Sequence, residues 1–230
     1  MKVKVLGTGS EQGNCYLLST DTETLILDCG IPIGEIKKGL GYNLRNVAGV
    51  VVSHSHNDHS KALKDFENMG IKTWIAPEDK IFTGSFRMGG FSISAFALPH
   101  DGTLNHGFLI RGYGQKVLYM TDFEYCPYVF KKNQVNHFIV ECNYMTDLVK
   151  RDLPNYAHKI KGHCSLETLK DFLAKSASDA TRTVLLTHMG GGTCIPEECA
   201  RQVQETVRNA HVDYARKGLE MELSNGSCPF

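Results

Sequence analysis

No sign of charge dominates this 230-residue sequence, where 25 Lys and Arg balance 25 Asp and Glu. Such a chain has no global field to draw in a polyanion, so any nucleic-acid affinity must come from a local patch. The Lys37-Lys38 and Lys131-Lys132 pairs read as solvated surface. No apolar run approaches membrane-spanning length, and no charged-then-apolar leader opens the chain. The eight cysteines, at positions 15, 29, 126, 142, 164, 194, 199 and 228, show no C-x-x-C spacing. Free packing thiols in a reducing cytoplasm account for them better than a secreted disulfide framework. Cys164, beside a histidine, is the one that could touch a site. There is no G-x-S-x-G elbow and no P-loop spacing, which removes two familiar routes to hydrolysis and phosphoryl transfer. Repeats, linkers and low-complexity segments are absent too. With 42% hydrophobic residues, residues 1–230 are expected to form one globular domain.

What is present centres on residues 50–59. Val50, Val51 and Val52 are a β-branched apolar run, as expected of a strand covered on both faces. His54, His56, Asp58 and His59 follow at once in an H-x-H-x-D-H pattern. A helix-period segment (Ala62, Leu63, Phe66, Met69) then stops at Gly70. Three imidazoles and a carboxylate on a strand-to-helix turn are what a divalent cation needs, and the donor types suit zinc, with manganese or iron as alternatives. Neighbouring side chains diverge, so Asp58 and His59 could face a second ion while His54 and His56 hold the first. The plain alternative is a solvated loop in which Asp58 caps the helix.

Elsewhere the pattern predicts strands at Met1–Leu6, Asn14–Ser19 and Thr24–Asp28, then a short helix on Ile33, Ile36 and Leu40. Further strands are expected over Lys72–Ala76, on either side of Gly89-Gly90 up to Pro99, at Gly107–Arg111, Lys116–Met120 and His137–Glu141, and over Thr183–Leu186 and Leu219–Leu223. Ser165 should cap a helix carrying Leu166, Leu169, Phe172 and Leu173, and Pro196 should open another. Asn143–Gly162 is poorly patterned and suits a surface excursion or lid.

One regularity ties these elements together. Apolar strands repeatedly end in a possible ligand: Val52 before His54, Leu98 before His100, Met120 before Asp122, Leu186 before His188. Alone, each could be an ordinary loop residue or turn former. Together they describe a site along one sheet edge.

This arrangement resembles the metallo-β-lactamase fold superfamily over nearly the whole chain. The resemblance implies an αββα four-layer sandwich of the α/β class. It also implies a dinuclear site, with His54, His56 and His100 on one divalent ion, Asp58, His59 and His188 on the other, and Asp122 bridging. The stretches Gly7–Asn14, Leu27–Gly30, Glu141–Asn143 and Lys161–Glu167 are similar to the WalJ/YycJ-like branch, which is associated with exonuclease or phosphodiesterase chemistry. Cys164 in place of Leu, and Phe123-Glu124 after Asp122, depart from that branch. No insert domain of the RNA-cleaving branches is evident.

The expected activity is two-metal hydrolysis of a phosphodiester, in nucleic acid or a small diester, by a metal-bridging hydroxide. Asp58 and His163 are the expected catalytic residues, Asp58 doubling as a ligand. His163 has two readings: a hydrogen-bonded histidine ahead of a helix, or an imidazole that contacts phosphate or protonates the leaving oxygen. Lys150, Arg151, Lys159 and Lys161 lie near it in sequence and could contact phosphate. Asp28 is expected to orient the histidine loop, with Asp101 doing the same for a neighbouring ligand. His106, His137, His158 and His211 match no ligand position and are left as surface or structural residues. The rival readings are a hydrolase of a lactone or thioester and a non-catalytic metal-dependent sensor or binding module.

Overall fold

At the start of Phe91–His100, the apolar Phe91, Ile93 and Ala95 are buried and alternate with half-buried Ser92 and Ser94. The same rule builds two back-to-back sheets. The computed structural model describes residues 1–77, 83–152 and 154–224. Its first half runs β1 (Lys2–Gly7), β2 (Cys15–Ser19), β3 (Thr24–Leu27), α1 (Ile33–Gly39), β4 (Val47–Val51), α2 (Asn57–Ser60), α3 (Leu63–Asn68) and β5 (Thr73–Trp74). The second half runs β6 (Gly84–Met88), β7 (Phe91–His100), β8 (Thr103–Gly112), β9 (Gln115–Met120), β10 (His137–Glu141), α4 (Tyr156–Gly162) and α5 (Leu166–Ser176). It closes with β11 (Thr183–Thr187), α6 (Pro196–Thr206), β12 (His211–Tyr214) and β13 (Glu220–Glu222).

One sheet has the order β13-β1-β2-β3-β4-β5 and the other β12-β11-β10-β9-β8-β7-β6. Both are mixed. β3, β4 and β5 are parallel in the first sheet, and β9 to β12 in the second. Val5, Leu18, Leu25 and Val51 of the first sheet meet Phe91, Phe108, Val117 and Ile139 of the second in the inner core. The first sheet's outer face packs Leu17, Ile26, Val50 and Val52 against Ile36 and Phe66 from α1 and α3. The second sheet's outer face packs Leu118, Phe138, Val184 and Leu186 against Leu166, Leu169, Phe172 and Val203 from α5 and α6. Each fully buried side chain of this kind contributes about 1.5–3 kcal/mol. The result is the expected αββα sandwich. No described helix is long and apolar enough to cross a membrane.

Most elements fall where the pattern placed them, and Ser165 caps α5 as expected, its Oγ accepting the Thr168 N–H at 3.0 Å. Three readings need correction. The strand expected over Lys72–Ala76 shrinks to Thr73–Trp74. The poorly patterned stretch after Asn143 is not merely a surface excursion, since it contains α4, whose Lys159 and Gly162 are buried. His211 begins β12, an edge strand that its mixed polar sequence did not announce. All but the first residue of the Ser-Asn-Gly-Ser tail lie outside the described residues.

Candidate metal centre

The site forms where carboxyl ends of strands from both sheets meet, the usual position for a site in α/β architectures. Val52 leaves β4, and the chain turns through Ser53 to His59 into α2. The backbones of the β1–β2 loop and the β3–α1 turn clamp that loop. Asn14 N donates to Asp58 O at 2.7 Å, and Cys29 N donates to His59 O at 2.8 Å. His100 closes β7, while Asp122 and His188 follow β9 and β11. Asp28, Asp122 and His188 each adopt a left-handed backbone, at φ 56°, 51° and 49°. That conformation is uncommon for residues other than glycine, and here it occurs where each chain leaves its sheet. Non-glycine residues held this way often mark functional positions.

Two ligand sets result. The donor atoms of His54, His56 and His100 lie within 4.8 Å of one another, as do those of Asp58, His59, Asp122 and His188. Asp122 faces both sets. Its Oδ2 is 3.9 Å from His54 Nε2 and 3.8 Å from His100 Nε2, while its Oδ1 is 3.4 Å from His59 Nε2 and 3.3 Å from His188 Nδ1. All seven expected ligands are therefore brought together. His56, rather than Asp58, occupies the N-cap position of α2, and Asp58 forms no side-chain cap.

The other ring nitrogens are fixed from behind. His59 Nδ1 donates to Asp28 Oδ2 at 2.8 Å, and His100 Nδ1 donates to the Gly162 carbonyl at 2.6 Å. Each ring thereby keeps Nε2 for the site, as in metal-bound histidines. Asp28 is fully buried and also accepts from Ser53 N at 2.7 Å and Tyr119 Oη at 2.5 Å. Asp101 does not support a ligand as expected. It pairs with His158 Nδ1 at 2.8 Å on the rim of the site.

Sequence reasoning gave Glu141 no role. This fully buried carboxylate accepts from His188 Nδ1 at 2.6 Å, from His163 Nδ1 at 2.7 Å, and from the backbone N–H groups of Phe123 and Cys164, both at 3.1 Å. Cys164 thus touches the site through its backbone, while its thiol is buried in the outer core. Asn143 Nδ2 donates to the His188 carbonyl at 2.9 Å, and Lys159 Nζ donates to Asn143 Oδ1 at 2.8 Å. Lys150, Arg151 and Lys161 are exposed, so only Lys159 of the four basic candidates reaches the interior. The available signal was that Glu141 ends an apolar strand, just as the ligands do.

Charge explains the titration of these groups. Burial alone would raise the Asp122 carboxyl, but His188 and His59 hold it well below the usual range. Burial likewise opposes a cationic His59, yet Asp122 and Asp28 outweigh it and raise that imidazole well above its ordinary value. Glu141, despite burial, is pushed down to about 2 by His163 and His188. His54 is instead driven well below its ordinary value, by burial and then by His59. Buried carboxylates thus create a demand for positive charge at the centre, which a divalent cation satisfies. The donors are nitrogen and oxygen without sulfur, which fits a borderline or hard divalent ion.

Beside these ligands runs a cleft of about 570 Å³, lined by Gly9, Ser10, Lys159, His163, His188 and Gly190 among others. His163 stacks at 5.1 Å on the His188 ring.

Residues 8–158 match the model of the metallo-beta-lactamase superfamily, and the chain belongs to that family. Within it, the chain is similar to exodeoxyribonuclease YycJ of Bacillus anthracis, 25% identical over 217 residues that cover 80% of this chain and 81% of that one. Among solved structures, the metallo-beta-lactamase fold protein YhfI from Bacillus subtilis superposes with a TM-score of 0.71 at 18% identity, covering 96% of this chain and 98% of that one. Human tRNase Z, short form, superposes with a TM-score of 0.63 at 16% identity, covering 97% and 100%. The superfamily's members are hydrolases, and the histidine and aspartate cluster is consistent with a dinuclear divalent metal site.

Proposed function

We propose that this protein is a dinuclear metal-dependent phosphodiesterase, an exonuclease acting on nucleic acid. The observation that carries the reading is Asp122, whose two carboxylate oxygens each face one ligand set. Similarity to exodeoxyribonuclease YycJ over four-fifths of both chains supports nucleic acid as the substrate class. His54, His56 and His100 would hold one ion and Asp58, His59 and His188 the other, with Asp122 between them. Zinc suits these donors best, and manganese or iron would also fit. When bound, two such ions supply an activated water near neutral pH and neutralise charge on a phosphate.

The chain's own groups do the rest. Asp28 and the Gly162 carbonyl fix the His59 and His100 tautomers. Asp58, half-buried at the edge of the cluster, would take the proton of the attacking water. His163 is oriented by Glu141 through Nδ1, leaving Nε2 to protonate the leaving oxygen. Burial lowers this imidazole's pKa, but Glu141 outweighs burial and raises it, which favours the acid form near neutrality. Lys159 and Ser10 line the cleft, where they would position phosphate oxygens. The described cysteines are all free, as suits the reducing cytoplasm in which we place the protein.

The test is digestion of 5′- and 3′-end-labelled DNA and RNA, single- and double-stranded, with zinc or manganese, alongside a simple lactone. Progressive shortening from one end is the expected result. Lactone hydrolysis without cleavage of any phosphodiester would overturn the assignment.

A further inference from the structure

Three thiols from three separate elements meet beside the imidazole and carboxylate cluster but outside it. Cys142 directly follows β10, Cys194 lies in the loop after β11, and Cys199 sits in the first turns of α6. Their sulfurs lie within 4.8 Å of one another, and Cys194 Sγ is 3.0 Å from Cys199 Sγ. Cys142 and Cys199 are fully buried and Cys194 is half-buried. The remaining described cysteines belong to no such cluster. Cys15 and Cys29 pack among aliphatic side chains of the first sheet's outer core, and Cys164 does so in the second's. Mutual contact of three sulfurs brought from distant points in the chain is a different arrangement from apolar packing.

We propose that Cys142, Cys194 and Cys199 form a second metal site, a three-thiolate pocket for one soft d10 cation of the Zn(II) or Cu(I) class. Thiolates select such ions, whereas the neighbouring histidine and aspartate centre offers only nitrogen and oxygen. A metal–sulfur bond of about 2.3 Å sets the sulfurs of such a site roughly 4 Å apart. The three sulfurs already lie within 4.8 Å of one another, and the Cys194–Cys199 pair, at 3.0 Å, must open, which side-chain rotation can supply. Binding releases three thiol protons to solvent as three sulfur–metal bonds form, with no change of oxidation state. The Lys159 ammonium acts on Cys194 and offsets part of the thiolate charge. Cys142 adjoins Glu141, the partner of His188, and Cys194 lies six residues beyond His188. An ion here would therefore brace the loop that carries a ligand of the first centre.

The probe is Cd²⁺, titrated into the reduced full-length protein while thiolate-to-cadmium charge-transfer absorption is followed. That absorption is silent for nitrogen and oxygen ligands. We expect a band that saturates at one equivalent, persists when His54 and His56 are both replaced by Ala, and weakens in apparent affinity by at least about tenfold in Cys194→Ser. Cys142→Ala and Cys199→Ala should abolish it. If either buried variant fails to fold by circular dichroism, the half-buried Cys194→Ser decides alone. Absence of the band, or its survival unchanged in Cys194→Ser, would overturn the site. So would conversion of the pair to a Cys194–Cys199 disulfide, seen as a mass loss of two hydrogens in place of a cadmium adduct.

Discussion

Glu141 Oε1 lies 2.6 Å from Nδ1 of His188, and the same oxygen lies 2.7 Å from Nδ1 of His163. One buried carboxylate thus orients both an expected ligand and the proposed acid, and it raises the pKa of His163 against the pull of burial. Replacing it as Glu141→Gln removes the charge while keeping the shape. The His163 pKa should then fall, so the acid form is lost at lower pH and the alkaline limb of the activity profile moves down. Loss of an orienting partner typically costs 10–100-fold in activity or metal affinity. A pH–rate profile with metal content measured alongside separates the two effects. An unmoved alkaline limb would remove His163 from the acid role.

Asp122→Ala and His188→Ala address the ions directly. Each removes a donor from the set that holds Asp58 and His59, and Asp122→Ala also strips the carboxylate facing His54 and His100. Hydrolysis should vanish in both variants. At least one metal equivalent should disappear from elemental analysis, with the far-ultraviolet spectrum preserved. Chelation of the wild type should lower its thermal midpoint, because an ion present at 100 times its Kd stabilises the folded state by about 2.7 kcal/mol. Full phosphodiester cleavage by the Asp122→Ala, His188→Ala double variant would end the two-metal assignment.

The residues of the proposed metal centre were legible because each lies at a place where pattern speaks: one dense motif and three strand ends. Their supporting groups were not. Glu141 also ends an apolar strand, but nothing local distinguishes a carboxylate that accepts from histidines from one that turns outward. Asp101 satisfied the same local rule as Asp28, yet it turns to His158 at the rim because α4 packs there. That helix is short, begins without a side-chain cap, and carries too few apolar residues to show a period. The left-handed backbone at Asp122 and His188 was invisible for a related reason. It is imposed by the turn out of the sheet and not by residue type. The three-cysteine cluster depends on chain crossings that spacing cannot encode.

Gly30 shows how closely the histidine loop is held. A Cβ there would overlap the Asp58 carbonyl, and Gly30 N itself donates to Asn14 O at 2.8 Å. The obstacle is backbone, so no side chain can rotate away. Gly30→Ala should therefore displace residues 58–59 and destabilise the fold by about 1–3 kcal/mol, in the range of overpacked interiors. For a chain of this size that is a fall of roughly 2–12 °C in thermal midpoint. Weaker metal binding should accompany it. A variant with unchanged midpoint and metal affinity would show that the two loops are not packed as described.

His137 gives a pH dependence separable from the metal centre. This fully buried imidazole in β10 donates from Nε2 to Gln115 Oε1 at 2.8 Å, and its Nδ1 has no hydrogen-bond partner among the described residues. A proton on Nδ1 would be buried without an acceptor. Burial, aided by the positive charges of the N-terminus and Arg182, pushes the pKa down to about 4, against about 6.5 in an unfolded chain. Between those values the unfolded state binds more protons, so stability rises with pH and is lost as pH falls from about 6.5 toward 4. The full difference is about 3 kcal/mol. His137→Gln keeps a donor to Gln115 and cannot titrate. Chemical denaturation at pH 7 and pH 4.5 should therefore show a smaller acid-induced loss of stability in the variant than in the wild type. Equal losses in the two proteins would mean that His137 takes up its proton in the folded state as readily as in the unfolded one.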